Sequence, residues 1–442
     1  MQLTGRNPTF RKQRSTSNPY RVMVLLGLLI ASLFLLKAVE SKEIESPFLP
    51  TPVPTRAASS FALEGETHFV AGNLDAAITA YQQAVALAPE DASLWSEMAR
   101  IQVYSSTLLI TDEEKTNRLV EALQSIDNAI EIAPDDSTVH AIRAFVLDWY
   151  ANPNFVGEEA SALLTEAEQE AVRALTIDNQ NTLALAYYAE ILVDQTKWLQ
   201  ADQYIRQALD RDPSLMDVHR VNAYVQETLG YYGDAINSYK RAAEITPNLT
   251  FLYISIGVNY RELKQYDQAL EYFSKAATIN EQLEVQDPIP YIAIGKTYSQ
   301  VGEFFIASRN MHKALVFNPY NADIYGQLGM VYFKSRNYES AIPALQCAVR
   351  GCTAEVSCDV RECDPESDPA IEISGLPLTG STVTYYFAYG SVLAGMHRPY
   401  NDYCSEAVVV LDEVRTGFAE DETIMQIVEA SEQICASFGI TR

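Results

Sequence analysis

The stretch TFLYISIGVNYRELKQYDQALEYFSKAATINE, residues 250–281, decides how this chain is read. Tyr253, Ile256, Gly257 and Tyr260 recur three and four apart, and after the polar break RELKQ comes a second segment with Ala269 and Phe273. Positions so spaced share one face of an α-helix, so the stretch predicts two amphipathic helices joined by a short turn. Small residues at 257 and 269 let the two backbones approach, and Tyr260 and Phe273 fill the space beyond them. One such pair cannot cover its own apolar faces, so it needs neighbours of the same kind.

The neighbours are present. Pro213 and Pro247, each closing an alanine-bearing helical pattern, stand 34 residues apart; the same step leads forward to Glu281 and back to Asn179. Pro89, Pro134 and Pro319 close further segments of this type. One unit downstream reads Tyr291, Ile294, Gly295, Tyr298, Ala307 and Pro319, and the next Tyr325, Leu328, Gly329, Tyr332 and Ala341. The first unit is looser, with Phe61, Gly65, Ala77, Tyr81 and Pro89. A fixed period of this length signals a stacked repeat array.

These residues resemble the tetratricopeptide repeat (TPR) over about residues 58 to 350, with a degenerate unit beyond. The resemblance implies an all-α, right-handed solenoid of about eight to nine helical hairpins with a concave face. The steps from Pro89 to Pro134 and from Pro134 to Asn179 are each 45 residues, so units two and three carry insertions, placed at YSSTLLITDEEKTN and DWYANPNFVGEEA. Unit seven has a smaller one near EVQDPIP. After residue 350 the period fails. A Cys-rich irregular loop is expected over 351–383, then a ninth pair in YYFAYGSVLAGM and DYCSEAVVVLDEV, and a capping helix from Asp421 to Phe438 within the terminal segment 384–442.

At the other end, VMVLLGLLIASLFLL at 22–36 lacks any charge, and the segment 22–39 is just long enough for a bilayer core. Basic residues alone precede it, Arg6, Arg11, Lys12, Arg14 and Arg21. The positive-inside rule therefore predicts a cytoplasmic tail over 1–21, a single-pass signal-anchor helix and an extracytoplasmic body at the cell membrane. A cleaved signal peptide is the competing reading, opposed by Lys37 and by the lack of an A-x-A site. Prolines at 47, 50, 52 and 54 predict a semi-rigid linker over 40–58, and the solenoid is expected over 59–350.

The chain holds 58 acidic and 32 basic side chains, and seven of the basic ones lie before residue 43, so the body is strongly anionic. Such a surface repels phosphate backbones, which argues against nucleic-acid partners. The six cysteines, at 347, 352, 358, 363, 404 and 435, lack both zinc-knuckle and C-x-x-C spacing. In an exported body they are expected to form disulfides, with Cys404 and Cys435 a possible clamp on the cap and the connectivity open. Asp364, Glu366 and Asp368 alternate like a calcium loop but lack its glycine and distal glutamate. No catalytic fingerprint surrounds the five histidines, and neither metal nor cofactor is expected. Asn248-Leu-Thr250 is a glycosylation sequon, meaningful in a eukaryotic source.

The family resemblance implies that first-helix side chains on the concave face meet the ligand. In this register they are Arg220, Tyr224 and Glu227, then Phe251, Ile254, Val258 and Arg261, then Ile289, Ile292 and Lys296, with Met330 and Phe333. Aromatic, aliphatic and isolated basic residues suit an extended peptide or a partner helix. The chaperone-binding version of the family uses a Lys and Asn clamp, and Ala62 and Glu66 stand in those places here. The sequence thus predicts a non-enzymatic, membrane-tethered scaffold for protein partners in envelope-complex assembly. The alternative is an exported enzyme or redox accessory with its site in 351–415; a third is capture of a small molecule or glycan.

Overall fold

The computed structural model describes residues 18–40, 56–364 and 366–441, in two separate units, one ending at Arg56 and one beginning at Ala57. The predicted basic tail and proline-rich linker lie largely outside the described residues. In the first unit, α1 (Pro19–Glu40) contains a stretch, Pro19–Ala38, long and apolar enough to cross a membrane.

The second unit is a run of antiparallel helical pairs. They are α2 and α3 (Ala58–Val70, Leu74–Leu87), α4 and α5 (Ala92–Ser106, Asp112–Ile132), and α6 (Ser137–Tyr150) with the single turn α7 (Pro153–Val156) and α8 (Ala160–Ile177). Next come α9 and α10 (Thr182–Asp194, Trp198–Arg211), α11 and α12 (Met216–Thr228, Tyr232–Ile245), and α13 and α14 (Thr250–Glu262, Tyr266–Gln282). The array continues with α15 and α16 (Ile289–Val301, Phe304–Phe317), then α17 and α18 (Ala322–Lys334, Tyr338–Val349). All eight pairs expected from the period are there.

Local chemistry sets the boundaries. Asp91, Asp136, Asn181 and Asn321, just beyond the ends of second helices, accept hydrogen bonds from backbone N–H groups of the next helix, as N-caps do. Within a pair the turn needs one left-handed residue. Gly72, Gly230 and Gly302 supply it without strain, whereas Thr196, Lys264 and Arg336 adopt it at φ near 60°. The insertions of units two and three chiefly lengthen second helices, giving α5 its 21 residues and α8 its 18.

Pairs close as the small residues require. A Cβ on Gly329 would sit 2.6 Å from Leu345 Cγ, and one on Gly257 would enter the Phe273 ring. Ala269, Ala307 and Ala341 are fully buried opposite them.

Past residue 350 the expected irregular loop is more ordered than its sequence suggests. It contains α19 (Ala354–Arg361), capped by Thr353, and a two-residue antiparallel pairing of β1 (Gly351–Cys352) with β2 (Ile373–Ser374). The physical reason is local closure: Cys347 stands bonded to Cys352 and Cys358 to Cys363, each fixing one turn of chain. Asp364 and Asp368 carboxylates accept from the backbone N–H groups of Glu366 and Asp364, folding the acidic loop onto itself.

The ninth pair follows as α20 (Val383–Met396) and α21 (Cys404–Gly417), and α22 (Glu422–Ser437) caps the end. Cys404 pairs with Cys435, joining α21 to α22 where both sulfurs are buried. Val428 packs into the apolar face of the ninth pair.

Candidate partner-binding cavity

In an extended solenoid the inner face of each first helix meets solvent. Here α4 is buried almost continuously from Ser96 to Ser106, polar residues included. The longer second helices of units two and three accompany a tight coil in which early units reach across to later ones. Asn248 Nδ2 donates to the Ala71 carbonyl at 3.1 Å, and a Cβ on Gly72 would meet Asn248 and Leu283. A glycan on Asn248 of the sequon would displace that contact.

Charged residues mediate the crossing. Arg100 on α4 donates to Asp217 Oδ2 on α11 at 3.0 Å, across 117 residues of sequence. Asp217 Oδ1 accepts from the Tyr104 and Tyr187 hydroxyls. Burial alone would raise the Asp217 carboxyl, but the guanidiniums of Arg100 and Arg220, with the two phenols, hold it below its usual range. Arg220 lays its fork on Glu190, both N···O distances 2.6 Å, and donates from Nε to the Tyr104 oxygen. The Tyr104 ring stacks on Phe251 at 5.7 Å and the Phe145 ring on Tyr187 at 4.4 Å. Every buried charge in this layer thus has a partner, as burial demands.

Beside this layer the coil leaves a cavity of about 1040 Å³. Its floor is the end of α6 with Asp148 and Trp149, and Glu190 and Asp194 of α9; α13 contributes Phe251 and Ile254, and the insertion after Ala151 forms an exposed rim. Trp149 Nε1 donates to Glu190, and the Tyr224 hydroxyl donates to Asp194 at 2.6 Å.

Asp148 is buried and hydrogen-bonds Asp194. Desolvation, reinforced by the charges of Asp194 and Glu190, raises it well above the carboxylate range. Asp194 faces the cavity, and the same desolvation pushes it up to about 6 against the pull of the Tyr224 hydroxyl. One proton shared between the two carboxyls follows from such proximity. Asp287, buried at the far wall, is also raised to about 6 by desolvation.

Comparison with known proteins follows the same lines. A family model described as tetratricopeptide repeat matches residues 252–283 and 322–350, and another of that description matches 63–103. This is a tetratricopeptide-repeat protein. BBSome complex member BBS4 of Bos taurus is 29% identical over 117 residues, 26% of this chain and 22% of that protein. A probable UDP-N-acetylglucosamine–peptide N-acetylglucosaminyltransferase SPINDLY of Hordeum vulgare is 29% identical over 126 residues, 27% of this chain and 13% of that protein. The chain therefore spans less than a quarter of the length of these relatives. Among solved structures, the APC/C hetero-tetramer Cut9-Hcn1 aligns over 86% of this chain and 78% of that chain, with 14% identity and a TM-score of 0.48.

Repeats of this family imply a surface for protein partners. Of the side chains assigned by repeat register, Arg220, Tyr224, Phe251, Ile254 and Ile289 line the large cavity. Arg220 does so with its guanidinium already engaged, so it shapes the wall and offers no free charge. Arg261, Lys296 and Met330 surround a separate hollow of about 250 Å³, where desolvation lowers both the Arg261 and Lys296 pKa values. Glu227 accepts from Tyr239 and Asn259, while Val258, Ile292 and Phe333 pack against neighbouring core clusters. The acids Asp148, Asp194 and Asp287, and the rim, are absent from that register list. A sequence signal did exist, since Asp148-Trp149 opens the insertion of unit three.

Proposed function

We propose that the protein is a scaffold that holds a protein partner in the coiled groove of its repeats while α1 tethers it to a membrane. The observation that carries this reading is the cavity of about 1040 Å³ in a tetratricopeptide body, lined by five residues that repeat register alone assigns to ligand contact. Its volume is at the upper end of small-ligand sites and suits several residues of extended chain. In the tethered arrangement the positive flank before α1 stays cytoplasmic and the repeat body faces the extracytoplasmic side, where it serves assembly of an envelope complex. The partial likeness to a member of the BBSome complex supports a place in a multiprotein assembly.

Complete pairing of the six cysteines supports the scaffold over an exported enzyme or redox accessory acting in 351–415, because no free thiolate is left there as a nucleophile. Proximity labelling from the C-terminus in the native cell tests the reading. A defined set of extracytoplasmic proteins should be labelled, and Ile254→Trp, which places a bulky ring in the cavity wall, should remove them from the set. Labelling of cytoplasmic proteins, or a set insensitive to Ile254→Trp, would contradict it.

A further inference from the structure

We propose that the large cavity captures a cationic side chain, a lysine ammonium or arginine guanidinium, carried on an extended segment of the partner protein. This rests on the partner-binding reading and specifies its chemistry. The charged end meets Asp194 and Asp148, and the aliphatic stem lies along Trp149 and Phe251.

Three observations point there. Even with Asp148 protonated, acids outnumber cations on the wall: Glu158, Glu190, Asp194 and Asp287 face Arg220 and Lys115, and Arg220 is neutralised by Glu190. An anionic ligand, such as a chain-terminal carboxylate, would meet this field with repulsion. Second, Asp148 Oδ1 and Thr250 Oγ1 are buried side-chain oxygens without a protein partner, and both residues line the cavity. Asp148 is 6% exposed and Thr250 2%, so neither oxygen is satisfied by bulk water; Asp148 Oδ1 needs a hydrogen-bond donor, and the Thr250 hydroxyl can accept one. An ammonium or guanidinium brings several donors and no acceptor. Third, the aromatic faces of Trp149, Phe155 and Phe251 suit both the methylene stem and the charge of such a side chain.

Size selects the source. The cavity greatly exceeds the volume of an ammonium head, and its exposed rim at Pro153, Gly157 and Glu158 leaves room for the backbone that carries the side chain. The net charge of −26 on the chain draws a basic segment toward the site before contact.

The test is calorimetric titration of the full-length protein in neutral detergent with three probes. These are a blocked alanine pentapeptide with lysine at its centre, the same peptide with norleucine, and n-butylammonium. The lysine peptide should bind at least about tenfold more tightly than either other probe. Asp194→Asn should weaken it by about tenfold, and Glu339→Gln, a remote exposed acid, should leave it unchanged. Equal binding of the norleucine peptide, or no binding of the lysine peptide, overturns the cationic anchor yet leaves the partner set of the labelling experiment intact. Equal binding of n-butylammonium overturns the segment in favour of a free amine. Should Asp194→Asn fail to fold, the lysine and norleucine comparison on the unaltered protein decides alone.

Discussion

The first six repeats and the last hundred residues solve the same problem with different chemistry. In the first, helices 117 residues apart in sequence are joined by Arg100, Asp217, Arg220 and a layer of tyrosines, all buried. In the last, three disulfides join residues 5, 5 and 31 apart, and the ion pairs are exposed, as where Arg350 reaches Glu406 and Glu413. Long-range polar closure couples distant repeats and shapes a cavity between them. Local covalent closure holds the region in which the 34-residue period fails.

The sharpest way to break that contrast is to remove one charge from each region. Asp217→Ala should destabilise the first repeats by about 3–5 kcal/mol, because Arg100 and two phenols lose a buried partner. Arg350→Ala should cost less than about 1 kcal/mol, as exposed pairs do. The chain's three tryptophans, at 95, 149 and 198, all report on the first repeats. Urea unfolding followed by their fluorescence, with hydrogen exchange in α20–α22, separates the two outcomes.

Reduction should act in the opposite sense. Opening Cys404–Cys435 should weaken protection in α21 and α22 by about 2–4 kcal/mol and leave the tryptophan transition in place. A tryptophan transition that moves with reductant would mean that the two regions are one cooperative unit.

Acidity sharpens the comparison further. Burial raises Asp287 from 3.8 to about 6, so the folded state takes up its proton first. Stability from this group is fully present below pH 3.8 and is lost as pH rises through 6. Asp217 works the other way: its lowered pKa gives stability above the usual carboxylate range that is lost as pH falls through its folded value. Between pH 7 and 5 Asp287 and Asp194, both raised to about 6, act in the same sense, and Asp287→Asn should remove its own share of the gain on acidification, about 1 kcal/mol. Smallest of all, Thr196→Gly at its left-handed turn should stabilise the first repeats by about 0.5–1 kcal/mol in the same urea titration.

The repeat array was legible because its determinants are local. Gly257 against Phe273, Gly329 against Leu345 and the caps at Asp91 and Asn321 all act within one or two helices, so a 34-residue period exposes them. The coil is different. Its pitch arises from small rotations summed over many units, and no spacing in the sequence announces that Arg100 will meet Asp217. Repeat register therefore assigned Arg220 to the ligand face, and stacking on the preceding unit gave its guanidinium to Glu190. It also passed over Asp148 and Asp194, which lie at helix ends and become hydrogen-bonded neighbours only after units three and four stack. The Cys-rich segment followed the same rule in reverse: an even cysteine count in a body expected to be exported announced disulfides, and the short helix α19 lies between the cysteines that close locally.

A double-mutant cycle between Arg100 and Asp217 tests most directly whether early and late repeats are joined through the coil. If they are, the effects of Arg100→Met and Asp217→Asn on the tryptophan transition will be non-additive by about 1–3 kcal/mol. Additivity within about 0.5 kcal/mol would mean that the two side chains do not meet in solution and that the concave face is open.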